Sequence, residues 1–251
     1  TQAAVIIATV DTAPPPSGRY TTNAESYDGT SYTEITEVNT GRRELPGIGS
    51  STAGLIAGGY NGPTELSITE TWDGSSWTEV NDLNDARANG GAFGTQAAGL
   101  YFGGDPTSAQ ITVNTETWNG SSWTEVNNMN TARRSNKGAG LSTAGLSISG
   151  YITAATDVVE SWDGTSWTEI AEVNTARAQA AAAGIQTSAL LSFGYSTTTV
   201  SLTEFWNGSS WTEVADGSTG RYDSGPSSAG TSSLTLASGG YNQVSTEVAV
   251  T

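Results

Sequence analysis

The sequence predicts an all-β chain folded as a five-bladed β-propeller of four-stranded antiparallel blades, with six blades as the alternative. Three observations carry that expectation. A stretch typified by Glu70-Thr-Trp-Asp-Gly-Ser-Ser-Trp-Thr-Glu-Val80 recurs with anchors at Tyr27, Trp72, Trp118, Trp162 and Trp206, so that copies lie 45, 46, 44 and 44 residues apart. Glycine contributes 31 residues, and abundant Ser and Thr beside it suit short strands joined by tight turns. The period runs from end to end, which favours one closed body spanning residues 1–251 as a single domain.

Each repeat divides into four strand-like segments, A to D from the axis outward. In the third copy A is about Ala88 to Gly94, B is Ala98 to Gly103, C is Ile111 to Trp118 and D is Ser122 to Val126. Residues 1–10 match a turn and a B segment, so the chain opens part-way through a repeat, and it begins at Thr1 rather than Met, as a processed or excised product would. The linker Asp11 to Gly18, with Pro14-Pro15-Pro16, reads as an extended loop before a C segment at Thr22 to Tyr27. Arg221 to Thr251 supplies A, B and C without a final D. The total is five A, six B, six C and five D segments, 22 in all, against 20 for five blades and 24 for six. Five inner strands define five blades, closed by pairing C-terminal with N-terminal strands. Thr175 to Gly184 has high helix propensity, but the aligned segments Asp85 to Gly94 and Thr131 to Gly140 are broken by Gly, so strand is assigned there too.

With 25 acidic and 9 basic residues the formal charge is −16, a field that repels nucleic-acid phosphates and anionic lipid surfaces. Nucleic acid is therefore not an expected partner. No apolar run reaches membrane-spanning length, so no membrane insertion is expected. The absence of Cys and His removes disulfides, thiolate chemistry, imidazole metal ligands and Ser-His-Asp catalysis together. No cofactor is implied.

Asp28-Gly29, Asp73-Gly74, Asn119-Gly120, Asp163-Gly164 and Asn207-Gly208 fall between C and D, where a hairpin needs positive φ. A calcium site is the other reading of these acids; Asn in two of five copies removes charge while keeping turn chemistry, which favours the turn. The aromatics beside each hairpin, Trp72 with Trp77, Trp118 with Trp123, Trp162 with Trp167 and Trp206 with Trp211, are read as structural packing between blades rather than as stacking platforms for sugars. Each ring can bury about 200 Å², with an upper bound of about 5 kcal/mol.

Glu34, Glu79, Glu125, Glu169 and Glu213 are each followed eight residues later by Arg42, Arg87, Arg133, Arg177 and Arg221, at the D-to-A crossing between blades. Two readings apply. The favoured one is an Arg-carboxylate or Arg-carbonyl clamp; the other is a ring of positive charge suited to a carboxylated or sulfated ligand. After segment B, Tyr60, Tyr151, Tyr195 and Tyr241 hold equivalent positions, with Asp105 and Asp11 in the other copies. The B-to-C loops that they open share a face with the D-to-A crossings. These tyrosines and arginines are therefore the candidate ligand-binding face.

Gly58-Gly59-Tyr60, an aromatic-Asp/Asn-Gly turn, Trp77 to Val80 and an Arg before the next inner strand together resemble kelch repeats over essentially the whole chain. The phrases Trp162 to Ile170 and Asn174 to Ala178 resemble kelch-like arrays encoded by marine bacteriophages, particularly cyanophages. That resemblance implies a β-propeller and a virion-associated or extracellular protein. It implies other virion proteins or a host-surface glycan as partners. Kelch-fold copper oxidases use Cys, His and Tyr, and sialidase-type turns place a residue between Asp and Gly, so neither activity carries over. The expected function is a non-enzymatic structural or attachment module. The alternatives are a kelch-type protein-binding scaffold, secreted or cytosolic, and, behind both, a two-carboxylate glycoside hydrolase.

Overall fold

Turn chemistry sets the end of each C strand in this chain, where an Asp-Gly or Asn-Gly pair lets the backbone reverse into the D strand. The computed structural model describes residues 5–8, 20–223, 225–226 and 237–242. Strands β1 (Val5–Ala8), β2 (Ala24–Tyr27) and β3 (Tyr32–Ile35) form a three-stranded sheet in that order. Four four-stranded antiparallel sheets follow. The first holds β4 (Gly47–Ser50), β5 (Ala53–Ala57), β6 (Thr69–Trp72) and β7 (Trp77–Val80). The second holds β8 (Gly91–Thr95), β9 (Ala98–Phe102), β10 (Thr115–Trp118) and β11 (Trp123–Glu125). The third holds β12 (Lys137–Leu141), β13 (Ala144–Tyr151), β14 (Ala155–Trp162) and β15 (Trp167–Ile170). The fourth holds β16 (Ala181–Ile185), β17 (Ser188–Ser192), β18 (Thr203–Trp206) and β19 (Trp211–Glu213). Strands β20 (Gly225–Pro226) and β21 (Ala237–Ser238) make a two-stranded sheet.

The expectation of five blades, or six, is thereby corrected: four complete four-stranded blades are present among the described residues. The reason lies in the duplicated B segment. The N-terminal copy, β1, already occupies the place beside β2, with Val5 opposite Tyr27 and Ala8 opposite Ala24. The C-terminal copy, β21, pairs with β20 instead. Among the described residues the terminal segments therefore give two partial sheets. The expected linker at 11–18 and the last C segment lie outside the described residues.

Order within each blade follows the A-to-D reading. The A strands β4, β8, β12 and β16 lie side by side, each next to the following one. Space between them is tight: a Cβ on Gly138 would sit 2.1 Å from the carbonyl oxygen of Ala92 on the neighbouring inner strand. That crowding explains the run Ala180 to Ala183, buried and extended where propensity alone favours a helix. Middle strands such as β9 are buried on both faces, because a blade lies on either side. Outer strands keep only their Trp inside and expose the Thr-Glu that follows.

The cores sit between blades. Trp118 and Trp123 pack with Ile48, Leu55 and Leu83 of the preceding repeat, and Trp162 and Trp167 with Phe93, Leu100 and Met129. Trp206 and Trp211 pack with Leu146 and Ile148 in the same way, and Trp72 and Trp77 with Val38 and Ile56. All eight tryptophans are at most 7% exposed, so they fill wedges and offer no stacking surface. Paired rings lie 5.3–5.4 Å apart and tilted.

Candidate functional site

The D-to-A crossing fixes everything around the axis. In Asn39-Thr-Gly-Arg42 the Asn39 backbone N–H and Nδ2 both donate to Glu70 Oε2 at 2.8 Å, and Arg42 Nη1 meets Glu70 Oε1 at 2.5 Å. The same latch recurs as Arg87 with Glu116 (2.9 Å), Arg133 with Glu160 (2.6 Å) and Arg177 with Glu204 (2.7 Å). The expected clamp thus exists with a different partner. It closes on the C-strand glutamates, while Glu34, Glu79, Glu125, Glu169 and Glu213 on the D strands are exposed. Burial pulls the Arg133 and Arg177 guanidinium pKa values down from their ordinary range, opposed by Glu160 and Glu204 respectively.

Arg42, Arg87, Arg133 and Arg177 are wholly buried, so a ring of positive charge open to a ligand is not what these four residues form. Arg221, half-buried, stacks on Phe193 with its guanidinium carbon 4.8 Å from the ring centre. The residue after each latch arginine is the one that reaches the loop face. Arg43 bridges Tyr60, Ala88 bridges Asp105, Arg134 bridges Tyr151, Ala178 bridges Tyr195 and Tyr222 bridges Tyr241. All four tyrosines expected on the ligand face are thereby placed at one rim.

One position further on stands a ring of polar residues in the left-handed region: Glu44 (φ 60°), Asn89 (55°), Ser135 (53°), Gln179 (55°) and Asp223 (55°). Each hands its carbonyl to the next. Asn89 N–H donates to Glu44 O at 2.7 Å, Ser135 to Asn89 at 2.6 Å, Gln179 to Ser135 at 3.1 Å and Asp223 to Gln179 at 2.9 Å. A cavity of about 450 Å³ opens here, lined by Arg43, Glu44, Tyr60, Glu65, Asn89, Asp105, Arg134, Tyr151, Gln179 and Tyr195 among others. Its size falls in the range of small-ligand pockets, about 300–1,000 Å³.

Guanidinium groups lie beside aromatic rings along part of the rim, and a run of tyrosines continues it. Arg43 lies 5.5 Å from the Tyr60 ring and 5.6 Å from Tyr20, and Arg134 lies 5.2 Å from Tyr151. Tyr195, Tyr222 and Tyr241 follow with successive centroids 5.9 Å apart. Arg134 Nη1 meets Asp105 Oδ2 at 3.1 Å, and Asn89 Nδ2 reaches Glu44 Oε2 at 3.0 Å. Burial pushes the carboxyls of Asp105, Glu44 and Asp223 above their ordinary values, against the pull of Arg134, Arg43 and Lys137 respectively. Lys137 opens β12 where Pro46, Gly91 and Ala181 stand in the other blades, and burial draws its ammonium below the usual range.

Arg43, Arg134, Glu44, Asn89, Lys137 and Asp223 were not expected at the site. Their signal is departure from the repeat: Arg42-Arg43 and Arg133-Arg134 are the two places where the repeated arginine is doubled, and Lys137 is the one lysine of the chain.

The hairpin carboxylates turn back on their own loops. Asp73 Oδ1 accepts from the N–H groups of Ser75 and Ser76 at 2.8 Å each, and Asn119 Oδ1 does the same from Ser121 and Ser122 at 2.9 Å. The geometry is that of an Asx turn, with only the Gly at positive φ (98° at Gly74).

Comparison with solved structures finds a protein described as "Structure of YjhT", with a TM-score of 0.82 and 12% sequence identity, covering 100% of this chain and 91% of that one. The likeness shows the fold. The chain is a β-propeller. Comparison with family models and with curated proteins gives no match.

Proposed function

We propose that this propeller is a non-enzymatic binding module that takes a glycan at the axial mouth, and that it serves as an attachment or decoration module on a virus particle. The observation that supports the glycan reading is the rim itself. Tyrosine faces, guanidinium groups and planar amide and carboxylate heads converge on one cavity of about 450 Å³. Sugars present apolar C–H faces and a rim of hydroxyls, and a site that combines aromatic rings with convergent polar groups matches both. The glycan is proposed to belong to a host surface. The kelch-like phrases of the sequence, similar to those of marine phage arrays, support the virion setting.

A glycan array probed with the purified protein and with Tyr151→Ala tests the site. Signals that weaken by about tenfold in the variant support it. Signals indifferent to Tyr151 move the binding surface elsewhere. Mass spectrometry of purified virions tests the setting, and absence of the chain from particles removes it.

A further inference from the structure

Among the described residues, one acceptor at the mouth has no partner. Asp105 is 4% exposed and lines the cavity. Its Oδ2 takes Arg134 Nη1 at 3.1 Å and Asn89 Nδ2 at 3.4 Å, while Oδ1 accepts from no other described residue. A buried oxygen left in that state opposes folding until a donor arrives. The fold does not require the residue, because the equivalent positions hold Tyr60, Tyr151, Tyr195 and Tyr241.

The cations of the mouth are in the opposite condition. Arg43 Nε meets Glu44 Oε1 at 3.3 Å, and Arg134 is engaged by Asp105. An incoming carboxylate or sulfate would find both guanidinium groups already paired with a carboxylate and an unpaired carboxylate oxygen beside them. An incoming hydroxyl would find the acceptor it needs.

The left-handed ring supports the same direction. Glycine adopts that conformation without strain and is plentiful in this chain, yet Asn89 and Gln179 hold it with side chains retained at the cavity wall. Their amide nitrogens are engaged with Glu44, Asp105 and Asp223, and their amide oxygens supply further acceptors of the kind that hydroxyls recognise.

We propose that Asp105 is the specificity-determining residue of the site, accepting a hydroxyl hydrogen from a neutral sugar whose C–H face rests on Tyr151. The inference deepens the glycan reading and rests on it. It selects neutral hexoses and N-acetylhexosamines over uronic acids and sulfated sugars.

The test is titration calorimetry of the full chain against oligosaccharides from each of those classes, with Asp105→Asn, Asp105→Tyr and Tyr151→Ala. Asp105→Tyr installs the residue found at the other repeats, and Asp105→Asn keeps the volume; melting curves of both verify folding. Neutral saccharides are expected to bind, with affinity reduced about tenfold or more in each Asp105 variant and in Tyr151→Ala. Neutral sugars that bind both folded Asp105 variants unchanged, while Tyr151→Ala still weakens them, would overturn this inference alone. So would a preference for uronic or sulfated sugars. If no saccharide of any class binds, the glycan reading itself falls and this inference with it; if saccharides bind but Tyr151→Ala changes nothing, the binding surface lies away from the mouth and this inference falls.

Discussion

Single residues decide whether a buried polar atom in this array is satisfied. Trp123 Nε1 donates to Thr69 Oγ1 at 3.0 Å, and Trp167 Nε1 to Thr115 Oγ1 at 3.2 Å, each reaching the preceding sheet. Trp77 Nε1 is buried without a partner among the described residues, and Ala24 on β2 holds the position of Thr69 and Thr115. Ala24→Thr supplies the missing hydroxyl, and denaturant unfolding is expected to show a gain of about 1 kcal/mol; a loss would mean that the added atoms do not fit. Asp73 gives a second test. The hydroxyl of Ser75, followed by the N–H groups of Ser76 and Ser75, holds its carboxyl at about 2 against an ordinary value of 3.8. A depressed folded value means that the turn's contribution is complete above 3.8 and is lost as pH falls through about 2. In an NMR titration the amides of Ser75 and Ser76 should therefore shift below pH 3.8, while those of Ser121 and Ser122, held by the uncharged Asn119, stay in place. Equal shifts at both turns would contradict the assignment.

At the scale of elements the latch and the strut matter most. The inner strand of each four-stranded blade is preceded by an arginine buried against a C-strand glutamate, and removal of one member strands a charge in the core. Glu160→Gln is expected to cost about 3–5 kcal/mol in unfolding free energy, whereas the double change Arg133→Met with Glu160→Leu costs much less. Equal losses would show that shape rather than charge holds the crossing. A lighter device joins neighbouring hairpins. Thr36 Oγ1 donates to Ser75 O at 2.8 Å, Asn81 Nδ2 to Ser121 O at 2.8 Å and Asn127 Nδ2 to Thr165 O at 2.9 Å. Ala171 cannot do this toward Ser209, and a groove lined by Ala171, Gln186, Trp206 and Ser209 opens there. Ala171→Asn should close it and raise stability by about 0.5–1 kcal/mol in denaturant unfolding; no gain would show that exposed struts contribute nothing. The latch also shows where periodicity stops informing. Glu70 and Glu79 recur with the same period and stand directly opposite each other in the β6–β7 register, so spacing alone does not say which of them the arginine meets.

Over the whole molecule, the legible part of the design is whatever repeats. Strand segments, hairpins and the inward tryptophans could be read from the period because every blade solves the same packing problem in the same way. The number of complete blades could not, since β1 and β21 are two copies of one segment and only pairing reveals that each takes a different neighbour. The mouth was half legible: Tyr60, Tyr151 and Tyr195 were visible as a repeated position, whereas Arg43, Asp105, Arg134 and Lys137 are breaks in the repeat. Their convergence appears only once the ring brings the blades together. The repeat builds the scaffold, and departures from it supply the chemistry.

The most direct test of that division of labour is a crystal structure of the protein soaked with a neutral oligosaccharide. The account predicts sugar density in the axial mouth between Tyr60, Asp105 and Tyr151, with a hydroxyl within hydrogen-bonding reach of Asp105 Oδ1. Sugar seated instead on the outer hairpins around Asp73 and Asp163, or in the groove beside Ala171, would contradict it.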